Sequence, residues 1–143
     1  MDPEIDFAAI MDQFDTLFIG RRTFELMIQS AKGLMPGMRT FVFSRTLPQA
    51  AHPDVTIVAE KPEELVTRLR AMPGKDIWLF GGANLFSTLA EAKLVDTVEL
   101  AIMPVLLGQG IPVVSRPAKL KLTGQRTYKR TGIVVLEYAM HRA

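Results

Sequence analysis

The sequence predicts an α/β domain, with a mostly parallel central sheet flanked by helices and a C-terminal antiparallel hairpin. Three observations predict it. Between Thr16 and Leu94, short apolar runs alternate with segments of helical period, the pattern of strands joined by helical crossovers. After Leu94 the period changes: Val98, Leu100 and Ile102 alternate with Thr97, Glu99 and Ala101, a strand with two unlike faces. Finally, the β-forming run Ile133 to Met140 follows the alternating Leu120/Leu122 segment across a Thr131-Gly132 turn, which predicts the hairpin.

The elements follow in order. Phe7, Ile10, Met11 and Phe14 fall at i, i+3, i+4, i+7 and predict an amphipathic helix over about Asp6 to Gln13, with Asp6 or Pro3 at its start. Asp15 breaks that pattern, and Thr16 to Ile19 reads as a buried strand. Gly20-Arg21-Arg22-Thr23 ends it and opens a helix carrying Phe24, Met27 and Ile28. Gly33, Pro36 and Gly37 mark a loop. Thr40 to Phe43 and Val55 to Val58 are the next strands, separated by a polar turn at Ser44-Arg45-Thr46 and a loop from Pro48 to Pro53. Pro62 suits a helix start, Leu65, Leu69 and Met72 give its stripe, and Pro73-Gly74 stops it.

The stretch Asp76 to Leu85 is the centre of the pattern. Four apolar residues, Ile77-Trp78-Leu79-Phe80, predict a strand covered on both faces. Gly81-Gly82 allows a sharp turn and close approach of a ligand to the backbone. Leu85, Phe86, Leu89 and Ala90 then mark one face of a helix whose first N–H groups suit a phosphate.

Composition bounds the rest. The chain has 143 residues, 48% of them hydrophobic, which predicts a single domain over 1–143 with a real core. It has no run of eighteen apolar residues and no signal-peptide pattern at its start, so neither membrane insertion nor export is expected. The absence of cysteine excludes disulfides and thiolate metal sites and fits a cytoplasmic location. No metal-ligand spacing occurs. A net charge of +2, with basic residues scattered outside Lys119 to Arg130, gives no sign of nucleic-acid binding. His52 and His141 read as surface residues without partners for a triad. The methionines read as core filler, and Trp78 as core with possible access to a ligand.

Three strand tips carry the candidate chemistry: Gly20-Arg21-Arg22-Thr23, Ser44-Arg45-Thr46 and Gly81-Gly82-Ala83-Asn84. Each alone is ordinary turn and helix-start chemistry, and none matches a Gly-x-Gly-x-x-Gly or Gly-Lys-Ser/Thr phosphate loop. In an open α/β sheet, however, ligands bind outside the carboxyl ends of strands. Three such tips together offer N–H groups, hydroxyls and guanidiniums for a ligand with several phosphates, a nucleotide.

Ile19 to Glu25 resembles the Gly-Arg-x-Thr-aromatic-Glu motif of dihydrofolate reductases, and Phe43 to Leu47 resembles their Ser-Arg-Thr turn. Trp78 to Leu85 resembles their Gly-Gly turn, and Pro104 to Pro112 is similar to a loop of the RibD C-terminal branch of that superfamily. The resemblance covers most of the chain from Phe14 onwards. It implies a dihydrofolate reductase-like three-layer fold, NADPH as cofactor, and hydride transfer to a pterin- or pyrimidine-like small molecule. It implies that Gly20, Arg21, Arg22, Thr23, Ser44 and Arg45 hold the adenosine end and that Gly81, Gly82, Ala83, Asn84 and Leu85 hold the pyrophosphate. Dihydrofolate reductases carry an acid on the helix before the Gly-Arg strand, so the resemblance implies Glu4 and Asp6, at roughly that distance though in a different helix context, as the candidate proton donors. From the residues alone, Asp2, Glu4 and Asp6 read as acids complementing the first helix dipole.

Members of that branch begin with a further strand in the middle of the sheet, lining the nicotinamide; this chain starts after it. Three alternatives follow: the strand belongs to a longer gene product, another segment or chain fills its place, or its neighbours close on each other. The expected function is thus an NADPH-dependent reductase. The alternatives are a nucleotide-binding homodimeric module without turnover, and a structural dimer with an empty cleft. The apolar stretch Ile102 to Val114 and the C-terminal hairpin predict a homodimer.

Overall fold

The computed structural model describes residues 2–30 and 33–141. Helix α1 (Phe7–Asp12) leads into β1 (Phe14–Gly20), then α2 (Arg21–Gln29), β2 (Arg39–Phe43) and β3 (Thr56–Val58). Helix α3 (Pro62–Arg70), β4 (Asp76–Gly81) and α4 (Ala83–Glu91) follow. Strands β5 (Thr97–Ile102), β6 (Leu120–Tyr128) and β7 (Ile133–Met140) close the chain. Strands β1 to β4 form a parallel sheet in the order β3-β2-β1-β4. The last three form an antiparallel sheet in the order β5-β7-β6, so the predicted hairpin is two thirds of a three-stranded unit.

Alternation along β1 divides the core in two. Leu17 and Ile19 point to one face with Val42, Phe24 and Met27, under α2. Phe18 points to the other, with Leu65 and Val66 of α3 and Leu85 and Leu89 of α4. All three β1 side chains are buried, each contributing about 1.5–3 kcal/mol by removal from water. Helices therefore cover both faces, the three-layer arrangement of an α/β fold. Val95, Val98 and Met140 of the C-terminal unit pack on the α3/α4 cluster. Arg70 reinforces that join: it bonds the Leu94 carbonyl at 3.2 Å and pairs with Asp96. Arg126 bridges the facing Glu99 and Glu137 across the second sheet.

Several elements differ from the sequence reading. Phe14 opens β1 instead of closing the first helix, and stacks on Trp78 at 5.3 Å. Asp15 lies inside β1, at a register irregularity against β4, where its carboxylate accepts the Lys75 N–H at 2.8 Å. Ile28 and Met72 are exposed outside the packed faces. The largest difference is β4. Expected to be covered on both faces, it is the edge strand of the parallel sheet, half-buried along most of its length, with Phe80 37% exposed. Neither does β5 pair with it; β5 is the edge of the second sheet. Among the described residues β4 and β5 belong to different sheets and do not close directly on each other.

Asp2 also departs from expectation. It is 2% exposed and does not serve the helix dipole. Its carboxylate accepts the Thr131 hydroxyl at 2.5 Å and the Glu4 N–H at 2.9 Å, fixing the start of the described chain on the β6–β7 turn. The Thr131 hydrogen bond, followed by that from Glu4, holds the Asp2 carboxyl below its usual 3.8. A carboxyl depressed by folding stabilises the fold above its unfolded value, and that contribution disappears as pH falls through the folded value. Asp2→Asn is expected to lower the urea midpoint at pH 7, with the gap to the parent chain closing as pH drops below 3.8. A pH series of urea melts checks this; a gap independent of pH would remove the charge from the explanation.

Candidate functional site

The site lies at the carboxyl edge of the parallel sheet, where β1 has β2 on one side and β4 on the other. Chain connections leave β1 in one direction and return from β3 to its opposite flank, a topological switch point. The tips of β1 and β4 touch there. A Cβ placed on Gly20 would lie 3.4 Å from the Gly82 nitrogen and 3.6 Å from the Gly81 oxygen. A Cβ on Gly82 would lie 3.4 Å from the Thr23 hydroxyl. Gly81 has φ +136°, a backbone conformation that side chains with a Cβ rarely adopt, and the Gly81–Gly82 peptide is cis. The register pairs Ile19 with Gly81 and Gly20 with Phe43, so all three tips end at one level.

Two helices start at this junction. Gly20 is the N-cap of α2 and Gly82 the N-cap of α4; neither start has a side-chain cap or an acid in its first turn. Their first N–H groups thus remain available to an anion, with both helix dipoles adding in the same sense. A capping side chain at Gly20 would meet the backbone of Gly81 and Gly82, and one at Gly82 would meet the Thr23 hydroxyl.

The second tip joins through Arg21, whose Nη1 donates to the Thr46 hydroxyl at 2.6 Å while Nε donates to Glu25 at 2.7 Å. Ser44 Oγ accepts the N–H groups of Thr46 and Leu47 at 3.2 and 3.1 Å, which shapes the turn. Ser44 is therefore a structural member of the site. Arg22 and Arg45 are exposed and, among the described residues, form no hydrogen bond or ion pair. Of the three guanidiniums, two are unspent. On the third tip, Asn84 is exposed, whereas the Leu85 side chain is buried in the core, leaving only its backbone for a ligand.

Other predicted residues lie elsewhere in role. Asp6 caps α1, accepting the Ala9 N–H at 2.9 Å, and Glu4 is an exposed turn residue. Neither is tied by a hydrogen bond to the three tips. His52 packs edge-on against Phe24 at 5.2 Å and His141 is exposed. Trp78, read from the sequence as core with access to a ligand, is flanked by Phe14 and Phe80 within the layer. Phe80, next to Gly81 and more exposed, is the aromatic at the tip; its position one residue before the glycine pair was the available signal. Among the described residues no cluster of three or more His, Asp or Glu could hold a metal, and no helix is long and apolar enough to cross a membrane.

These features define an α/β protein with two uncapped helix starts at a topological switch point, and comparison with known proteins gives the family. Residues 4–135 match the RibD C-terminal domain, and the chain belongs to that family. It is 35% identical to the uncharacterised protein YyaP of Bacillus subtilis over 96% of this chain and 80% of YyaP. A shorter match, 37% over 62 residues, covers 43% of this chain and 18% of the riboflavin biosynthesis protein RibD of Corynebacterium ammoniagenes. The fold is shared with a Shewanella sp. PV-4 protein described under riboflavin biosynthesis: TM-score 0.81, 21% identity, 99% of this chain and 84% of that one. A pyrimidine reductase-like protein from Corynebacterium diphtheriae gives TM-score 0.64 at 14% identity, covering 91% and 77% of the two chains.

Gly81→Ala isolates the tip. The imposed φ is expected to cost about 1–3 kcal/mol and to remove anion binding at the α4 start. Thermal melting with and without inorganic pyrophosphate reads both effects. A variant that melts and responds to pyrophosphate like the parent would contradict the assigned role of the glycine.

Proposed function

We propose that the protein is an NADPH-dependent reductase acting on a small pterin- or pyrimidine-like heterocycle. The observation that carries this reading is the contact of two uncapped helix starts at Gly20 and Gly82, beside two unpaired arginines. The residues fit such a dinucleotide: the tip has no Cβ where a phosphate must approach, and its charge is positive. Backbone groups of Gly81, Gly82, Ala83, Asn84 and Leu85 would hold the pyrophosphate. Gly20, Arg21, Arg22, Thr23, Ser44 and Arg45 would surround the adenosine end. Arg22 and Arg45 suit a 2′-phosphate because a guanidinium binds phosphate oxygens in pairs, and neither has an internal carboxylate to satisfy first. When bound, NADPH supplies the hydride. The protein's part is to hold the reacting rings together and keep water away, with Phe80 as an apolar surface beside the tip. Membership of a reductase-type family and the pyrimidine reductase-like neighbour support the substrate class.

One observation favours a second reading, a nucleotide-binding homodimeric module without turnover: β4 is an open edge, so the cleft beyond Phe80 has no wall on that side. Titration with NADPH and NADH, following nicotinamide fluorescence and thermal stabilisation together, separates the two. A ligand that binds only the folded state raises its melting temperature by mass action. The reductase reading expects selective stabilisation by NADPH with a changed nicotinamide signal. Stabilisation with an unchanged signal favours the binding module, and no response to either nucleotide overturns both. Arg45→Gln is expected to weaken NADPH about tenfold or more, near 1.4 kcal/mol, and to leave NADH unchanged. Arg21→Gln is expected to do less, since Glu25 already neutralises Arg21.

We also propose that two copies associate through the segment after β5. Leu106 and Ile111 are 100% and 93% exposed, with Val105, Leu107 and Val113 exposed between and beside them. Such a contiguous apolar surface is unusual on a monomer, and a second copy is the self-complementary partner always at hand. Sedimentation velocity is expected to give a dimer at micromolar concentration and a monomer for the Leu106→Asp/Ile111→Asp variant. A monomeric parent chain at high micromolar concentration would end this proposal.

A further inference from the structure

Residues 103–119, between β5 and β6, run without helix or strand. A connection of that length inside a compact domain usually has a task beyond joining its ends. Its later part is fastened to α4. Ser87 Oγ accepts the Ser115 hydroxyl at 2.9 Å and the N–H groups of Ser115 and Arg116 at 3.2 Å each. The Ser115 hydroxyl also lies 3.4 Å from the Ala83 carbonyl. One turn further along the helix, Arg116 pairs with Glu91. Ala83, Ser87 and Glu91 are spaced by four and so share one face of α4. Leu85 and Leu89, two residues to either side of Ser87, point the opposite way, into the core. Ser87 is nevertheless 2% exposed, because residues 115 and 116 cover it.

This strap answers a difficulty at the start of α4. That start has no side-chain cap and no acid in its first turn, and a helix without a cap is less stable there. A capping side chain would restore order only by taking N–H groups that an anion needs. The strap holds the first turns from the flank instead, through the Ala83 carbonyl and the Ser87 side chain, and leaves those N–H groups untouched. The hydrogen bond that closes the first turn, from the Phe86 N–H to the Gly82 carbonyl at 3.0 Å, lies next to Ser87 in the chain. The other uncapped start is braced from outside in the same sense, by Arg21 of α2 on Thr46 of the β2 tip.

We propose that Ser87 and Ser115 are positioning residues for an anion at the start of α4, taking the place of the missing cap. They act by ordering the backbone of Ala83 and Asn84; contact with the phosphate is assigned to neither. The inference rests on the reading of that start as a pyrophosphate site and adds which side chains order it.

Calorimetric titration with inorganic pyrophosphate, combined with amide hydrogen exchange at Phe86, tests it on the full chain and on Ser87→Ala, Ser115→Ala and Ser115→Thr. Ser87→Ala is expected to weaken pyrophosphate about fivefold or more and to speed Phe86 exchange by a similar factor. Ser115→Ala is expected to change both in the same direction by less, since the two N–H bonds to Ser87 remain, and Ser115→Thr to behave like the parent. A Ser87→Ala variant that melts lower but binds pyrophosphate like the parent makes the strap purely structural; it overturns this inference and leaves the pyrophosphate reading standing. Weaker binding with unchanged Phe86 exchange overturns it too, because the serines would then act otherwise than through the helix start. If Ser87→Ala does not fold, Ser115 is exposed and its alanine variant decides: unchanged affinity and exchange overturn the inference. A parent chain that does not bind pyrophosphate overturns the underlying reading, and the inference with it.

Discussion

The backbones of β1 and β4 meet at their carboxyl ends, and the site depends on that approach. A Cβ on Gly20 would already touch the Gly82 backbone at 3.4 Å, so a side chain longer than a methyl there meets the opposing tip. The same contact explains why both following helices lack side-chain caps, and so why two sets of N–H groups remain free at one place. Helix α2 packs with Phe24 and Met27 on one face of the sheet, and α4 with Leu85 and Leu89 on the other. Their starts nevertheless share the edge, because β1 and β4 are adjacent in the sheet. A switch point in the topology thus becomes a site with converging dipoles.

Charge is distributed around that junction unevenly. Arg21 is held between Thr46 and Glu25, and this exposed i, i+4 pair contributes little to stability. Its larger effect is geometric, since the Thr46 bond ties the β2 tip to the start of α2. Arg22 and Arg45 remain uncommitted, so their charge faces solvent and any anion there. Fixed backbone donors with mobile cations around them suit a ligand that has both a buried phosphate and a peripheral one.

Much of this was legible in the sequence, for identifiable reasons. Apolar runs ending in glycine or serine located β1, β2 and β4 and their tips, because a parallel strand is buried and its exit must turn. Pro62 and Gly82 marked helix starts through their own backbone restrictions. Side-chain commitments were not legible. Nothing in the local pattern distinguishes Arg21, which is paired, from Arg22 and Arg45, which are not; the difference is made by Glu25 and by Thr46, a partner 25 residues away. Asp2 looked like one of three equivalent acids, yet only Asp2 meets Thr131, 129 residues on. Phe14 fitted the helical stripe by spacing, and its stacking on Trp78 decided for the strand. For β4 the composition described an interior strand, whereas among the described residues it has a strand neighbour on one side alone.

That one-sidedness bears on the site itself, because the strand with the open edge also carries the Gly81–Gly82 tip. Among the described residues this tip has β1 as its one strand neighbour, with α2 and the start of α4 beside it. Whatever orders the outer edge of β4 therefore restricts the tip as well, and a ligand that fixes the tip lowers the entropic cost of ordering the edge. By linkage the two effects have equal magnitude. Phe80 lies at the meeting point, partly exposed and adjacent to the glycine pair. The tip and the outer edge of β4 are accordingly coupled through one strand, so a change in the order of either bears on the other.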